Sequence, residues 1–151
     1  MSNNDFSFRL FNLMHGGAIG SDPMQIATIP NRVMWLLRWR TDRVFITNRD
    51  AQKMRHHPKH GMDATRAMLL PTVISSGDYY QTNHRGSALQ IEVVLHEPDA
   101  PKRAYFLVLS RNREDTGIFL RTFYFTGQLS RRKMRKARCL LDQNSIKFFG
   151  D

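Results

Sequence analysis

An α+β fold is what the sequence predicts: N-terminal helices packed on a three- to four-stranded antiparallel sheet, followed by a basic C-terminal helix. Three observations carry that expectation. The chain has 151 residues, 41% of them apolar, with no repeat, low-complexity tract or long Pro/Gly linker, which is the make-up of one domain over 1–151. Helix caps and stops dominate residues 48–77. Period-two alternation of Val, Ile and aromatic residues dominates 88–126.

Taken in order, Phe6, Phe8 and Leu10 alternate with polar neighbours and predict a short strand. Gly16-Gly17, Gly20 and Ser21-Asp22-Pro23 mark a loop, without the strand–loop–helix frame of a phosphate cradle. Residues 30–40 carry Val33, Met34, Trp35, Leu36, Leu37 and Trp39. They fit either a short helix begun at Pro30 or Asn31, or a buried strand. Residues 44–47 read as a short strand. Asn48 predicts an N-cap, with Asp50 in the first turn and Lys53 and Arg55 at the far end. Pro58 stops that helix near His57, because the residue before a proline is pushed toward extended geometry. Asp63 caps a second helix that passes Met68, Leu69 and Pro71 to reach Ile74, and Gly77 ends it.

From Tyr79 the period becomes strand-like. Residues 79–82 predict an edge strand, and 88–96, 103–110 and 118–126 predict a meander joined by turns at 97–101 and 112–117. The final helix runs from Ser130 to Leu141, and the tail 146–149 adds a strand or packs on the core.

Charge narrows the partners. Lys plus Arg is 23 against 13 for Asp plus Glu, a formal net charge of +10, and 17 of the cations are Arg. The planar guanidinium binds phosphate in two-point fashion and stacks on rings, although a GC-rich genome also favours Arg. A field of that size attracts polyanions, nucleic acid first. The single cysteine, Cys139, excludes an internal disulfide and a multi-cysteine zinc site. No apolar run approaches the ~18 residues of a membrane span, and no charged n-region followed by an apolar h-region opens the chain. A cytoplasmic chain with no membrane partner is expected.

Three clusters could carry chemistry. The first is Arg55-His56-His57-Pro58-Lys59-His60, where histidines that give and accept protons near neutrality sit among cations that draw in a phosphodiester. His56 and His60 are four apart, but Pro58 interrupts the helical face, no Glu follows His56, and no further ligand set stands out, so no metal is expected. A solvated basic helix end is the plain alternative. The second cluster is 118–124. Alternation there predicts Arg121, Phe123 and Phe125 on one face and Leu120, Thr122 and Tyr124 on the other. The Thr122 and Tyr124 hydroxyls could then bind phosphate oxygens or orient a histidine, or they are simply good strand residues. The third cluster is Arg131, Arg132, Lys133, Arg135, Lys136 and Arg138 on the final helix. Cations in its first turn oppose the helix dipole, a local cost that an extended phosphate contact explains; a solvated helix and an anionic membrane surface are the alternatives.

Residues 45–125 resemble the barnase–EndoU–colicin–RelE nuclease superfamily, above all its phage-associated and toxin branches. The features that carry the likeness are His57-Pro58 at the end of an early helix, Thr122-Phe123-Tyr124 on a late strand, and Arg111 before Gly117-Ile118. The resemblance implies a nuclease-like core over 43–126 with helices followed by a four-stranded antiparallel sheet, and RNA cleavage on the sheet face without a metal or cofactor. Where that branch carries another histidine one turn before His-Pro, this chain has Gln52 or Lys53. Such cleavage uses the 2′-OH as nucleophile, a base for that hydroxyl, cations for the phosphorane charge and an acid for the leaving oxygen. His57 is the leading acid–base residue, with His60 or His56 as its second. Arg111 and Lys59 would hold the phosphate, and Thr122 and Tyr124 would orient it. A toxin-like ribonuclease acting on RNA, with room for an inhibitor or immunity protein and no small-molecule substrate, is therefore the first expectation. The alternatives are a non-catalytic nucleic-acid-binding module using the basic helix, or a small protein that binds an acidic host protein.

Overall fold

A computed structural model of the chain describes residues 23–56, 64–82, 89–126 and 137–143. Its spine is an antiparallel meander of β4 (Gln90–Glu97), β5 (Ala100–Arg111) and β6 (Ile118–Thr126). On one side β2 (Arg43–Ile46) runs parallel to β6, and β1 (Met24–Thr28) pairs antiparallel with β2. On the other side β3 (Asp78–Thr82) pairs with β4, and β7 (Ala137–Leu141) pairs with β3. The result is one mixed seven-stranded sheet in the order β1-β2-β6-β5-β4-β3-β7.

Four short helices, α1 (Asn31–Leu37), α2 (Asn48–His56), α3 (Ala64–Ala67) and α4 (Leu70–Ser76), bury apolar residues against one face of this sheet. Val33, Ala51, Met54, Leu70, Val73 and Ile74 share that core with Val44, Val93, Leu107, Leu120 and Phe123. α4 packs on both β1 and β4, and α1 packs on β7, so the helices tie the two ends of the strand order together across this inner face. The outer face has its own smaller cluster of Tyr80, Val94, Ala104 and Phe106, with Val108 and Tyr124 packed against it.

This architecture corrects the sequence expectation. The sheet has seven strands and is mixed, not three or four and antiparallel, and the described helices are short. The meander itself lies where alternation puts it, 118–126 to the residue. The strand expected at 79–82 is not an edge: β3 is flanked by β4 and β7. The reason for β7 follows. Asp78, Tyr79 and Tyr80 are all buried, so the second row of β3 backbone groups needs a partner away from water. Residues 137–141 supply it and are a strand where a helix was expected, with Leu140 turned into the core. The remainder of the expected basic helix, 130–136, lies outside the described residues, as do the expected strand at 6–10 and the tail at 146–149. Residues 31–37 take the helical option. The helix expected from Asp63 to Ile74 is two pieces, broken at Met68–Leu69 ahead of Pro71, which has no N–H to give and stands in the first turn of α4. Thr47, rather than Asn48, caps α2: its Oγ1 accepts from the Asp50 N–H at 3.1 Å and its hydroxyl donates to Asp50 Oδ2 at 3.2 Å, a reciprocal cap.

Gly77 ends α4 where the chain turns into β3, and its backbone runs against its neighbours. A Cβ there would stand 2.6 Å from the Val73 carbonyl oxygen and 2.6 Å from Val93 Cγ1. Backbone cannot yield as a side-chain tip can. Gly77→Ala is expected to cost ~1–3 kcal/mol, the scale of overpacking, seen as a lower denaturant midpoint at unchanged slope. A midpoint equal to that of the unsubstituted chain would show that α4 can slide on β4.

Candidate nucleic-acid interface

The residues that the nuclease resemblance singles out do not come together among the described residues. Arg111 and Tyr124 sit at opposite ends of the β5–β6 pair. Arg111 faces Ile118 and Tyr124 faces Phe106, five residues along β5, which at ~3.3 Å per residue is about 16 Å. They also lie on different faces. Tyr124 packs on the outer cluster, whereas α2, which ends at His56, packs on the inner one through Ala51 and Met54. A bulge in β6 sets this division. Val108 faces Thr122 while Leu109 faces Leu120, so Arg121 is an additional residue. Leu120 and Phe123 both reach the inner core, and Leu120 does not share a face with Thr122 and Tyr124 as strict alternation predicts. His57, Lys59 and His60 lie outside the described residues, as do Arg131, Arg132, Lys133, Arg135 and Lys136. Arg138 is described, exposed on β7.

Three of these groups have structural work. The Arg111 guanidinium lies 5.4 Å over the buried Trp39 ring, its Nη1 is 3.3 Å from Asp115 Oδ2, and its Nε donates to the Asn112 carbonyl. Tyr124 is stacked on Phe106 at 5.1 Å between ring centres, and burial pushes its phenol above the ordinary range, away from proton transfer near neutrality. Arg121 donates to Asp50 Oδ2 at 2.9 Å and so pins the first turn of α2 to the bulge. The Cys139 thiol is likewise pushed up, by partial burial and then by Asp142 and Asp78, so it stays protonated near neutrality. Among the described residues no three His, Cys, Asp or Glu side chains gather as a metal-holding set, and no helix is long and apolar enough to cross a membrane.

A different surface does assemble. Asp115, in the β5–β6 turn at φ 58°, accepts the backbone N–H of Arg40 at 2.9 Å and of Thr41 at 3.3 Å. That carboxylate binds the α1–β2 connection to the turn. The turn closes on itself through Asn112, whose Oδ1 accepts from the Thr116 and Gly117 N–H groups. Exposed arginines stand at both joined segments: Arg38 and Arg40 in the connection and Arg43 where it enters β2, with Arg113 in the turn; Arg32, also exposed, lies in the first turn of α1 beside residues 139–142. Ion pairs among the described residues engage Arg40, Arg103, Arg111 and Arg121, and Arg32, Arg38, Arg43 and Arg113 have no carboxylate partner there. Among these cations stands Trp35, 81% exposed, beside the 40% exposed Leu36. Met34, Trp35, Leu36, Arg38 and Trp39 line a shallow concavity of about 510 Å³.

Sequence reasoning places Trp35 in an apolar run and so misses it as a surface residue. The signal available is local: the apolar run that holds Trp35 is interrupted by Arg38. No family model matches the chain, and neither the curated proteins nor the solved structures give a significant match.

Two measurements check these assignments. Asp115→Ala leaves two N–H groups and the Arg111 guanidinium without their acceptor and puts an Ala at positive φ. The expected loss is ~2–4 kcal/mol in chemical denaturation, and Asp115→Asn should lose less because it keeps one acceptor and tolerates the left-handed conformation. An Asp115→Ala protein within ~0.5 kcal/mol of the parent would show that the turn holds without the carboxylate.

The second concerns the tyrosines. Burial raises the phenols of Tyr79, Tyr80 and Tyr124, with Asp78 adding to the rise at Tyr80. A raised folded-state value means the stabilisation is complete below the unfolded phenol's ~10 and is lost as pH climbs above it. Phenolate absorbance from these three residues should therefore appear only as the chain unfolds in alkali. Ionisation of more than one of the chain's four tyrosines ahead of the loss of circular dichroism would contradict their burial.

Proposed function

We propose that the chain is a nucleic-acid-binding module, with RNA the polyanion that the sequence resemblance implies. The observation that supports it is the set of exposed arginines, Arg38, Arg40, Arg43 and Arg113, brought to one end of the sheet by the Asp115 bonds. The Arg38, Arg43 and Arg113 guanidiniums, without a carboxylate partner among the described residues, keep their capacity for two-point phosphate bonds, and a net charge of +10 concentrates a polyanion near them. RNA cleavage has less support. It would rest on His57 and His60, and Thr122 and Tyr124 face away from the side of the sheet that carries α2.

The test is the salt dependence of binding to a labelled single-stranded RNA. Replacing Arg38, Arg43 and Arg113 together by Ala should weaken binding and reduce the slope of log K against log salt by ~0.7 for each lost phosphate contact, up to ~2 in all. The fold should be unchanged by circular dichroism, since these side chains hold nothing else among the described residues. An unchanged slope would mean that the arginines only solvate this end of the sheet.

A further inference from the structure

We infer that Trp35 is a stacking platform for an unpaired base, so that the surface takes single-stranded nucleic acid and discriminates against duplex. This rests on the nucleic-acid reading above and goes further, to the form of the ligand.

Two independent features lead to it. The first is the cost of leaving Trp35 outside. α1 is only seven residues long and already buries Val33, with Met34 and Leu37 partly covered, so its apolar contribution to the core is made without Trp35. An indole 81% exposed on such a helix forgoes the burial that makes tryptophan valuable to a fold. The second is the residue that ends the helix. Arg38 is the C-cap of α1, in the left-handed conformation at φ 57°, ψ 34°, with its N–H directed to the Met34 and Trp35 carbonyls. Glycine adopts that conformation without a Cβ penalty and is the residue helices favour there. An arginine at this position accepts a backbone cost and places a cation beside the exposed indole.

The chemistry that matches is an aromatic ring flanked by phosphates. A base laid on Trp35 would have the Arg38 cation beside it, since both residues line the same concavity. A guanidinium beside the ring suits a phosphate next to the stacked base. Base–aromatic stacking needs an open π face, which single strands offer and a duplex, whose bases stack on one another, does not. Charge also selects against the other occupant of an apolar patch, a second copy of this chain, because two such surfaces would bring their arginines together.

The experiment compares a labelled RNA of ~16 nucleotides with the same strand annealed to its complement, at fixed salt, with the full chain. The single strand should bind more tightly and quench the exposed indole, a signal absent from Trp35→Phe, since the other tryptophan, Trp39, is buried. Trp35→Ala should weaken single-strand binding by ~5- to ~150-fold, with Trp35→Phe between the two, and should leave duplex binding within ~2-fold. Arg38→Gly should raise the denaturant midpoint and yet weaken single-strand binding, opposite signs that a purely structural residue would not give. If Trp35→Ala binds single strand like the parent, or loses single strand and duplex equally, the stacking inference is overturned while nucleic-acid binding stands. If the parent binds neither form in a salt-dependent manner, the nucleic-acid reading itself fails. A chain that dimerises in sedimentation through Trp35, and loses this in Trp35→Ala, would assign the patch to self-association and overturn the inference.

Discussion

The bond between the Asp115 carboxylate and the Arg40 and Thr41 backbone is the constraint on which the arginine-rich end depends. It joins two segments that share no secondary structure: the connection after α1, and the turn between β5 and β6. The same carboxylate meets the Arg111 guanidinium, which in turn lies over Trp39. The Trp39 backbone N–H donates to the Met34 carbonyl. Carboxylate, guanidinium and indole thus form one continuous contact from the turn to the end of α1. With β2 fixed beside β6 by parallel pairing, α1 has little freedom in where it presents its outer face. Breaking one bond in such a set leaves a charge partly buried without a partner, which costs more than the bond contributes in isolation.

Burial on both faces of the sheet follows a second constraint. The inner face is covered by α1–α4, and it holds the larger core. On the outer face Tyr80, Val94, Ala104 and Phe106 are buried too, with the polar residues Asp78, Glu92 and His96 at 2–4% exposure. A strand buried on both faces and paired on one edge leaves its other edge as the only place where backbone groups could stay in water. For β3 that edge is taken by β7, and the Asp78 carboxylate extends the match by accepting the Gln143 N–H at 2.7 Å. Strand pairing, not intrinsic preference, decides the conformation of 137–141.

This explains which parts of the fold were legible. Residues 90–126 were, because alternation there is long, rich in Val, Ile and aromatics, and interrupted by turn residues; the pattern is a direct image of which side chains meet the core. α2 was legible through its acidic first turn and the following proline, although the cap is one residue earlier, at Thr47. β7 was not. Ala137, Leu140 and Leu141 fit a narrow helical stripe as well as a strand, and only the unmet edge of β3 distinguishes the two. β1 was missed for a related reason: its five residues gain their meaning from β2 and from α4 packed above them. The site was less legible still. Alternation puts Thr122 and Tyr124 on one face with Leu120, and the bulge at Arg121 undoes that, a one-residue change with no local signal in the sequence. The arginines were visible only as an excess, since nothing local separates Arg111 and Arg121, held by carboxylates, from Arg32, Arg38 and Arg113.

That separation is the physical core of the functional reading. Every arginine costs side-chain entropy and self-repulsion in a chain of net charge +10, and the fold recovers some of this where a guanidinium meets a carboxylate or a ring. Arg121 does so at Asp50 and at Phe119, and Arg111 at Asp115 and Trp39. Arg38 recovers none of it among the described residues, and it occupies a backbone conformation in which a glycine would be more stable. Trp35, one turn before it, is exposed where a polar residue would be. Two adjacent departures from the locally favoured choice, one in backbone and one in burial, would each be an isolated imperfection elsewhere. Set side by side on one short helix, and held in place by a carboxylate from a distant turn, they are consistent with one cause. The fold gives up a little stability at α1 and keeps an aromatic ring and a cation turned toward water.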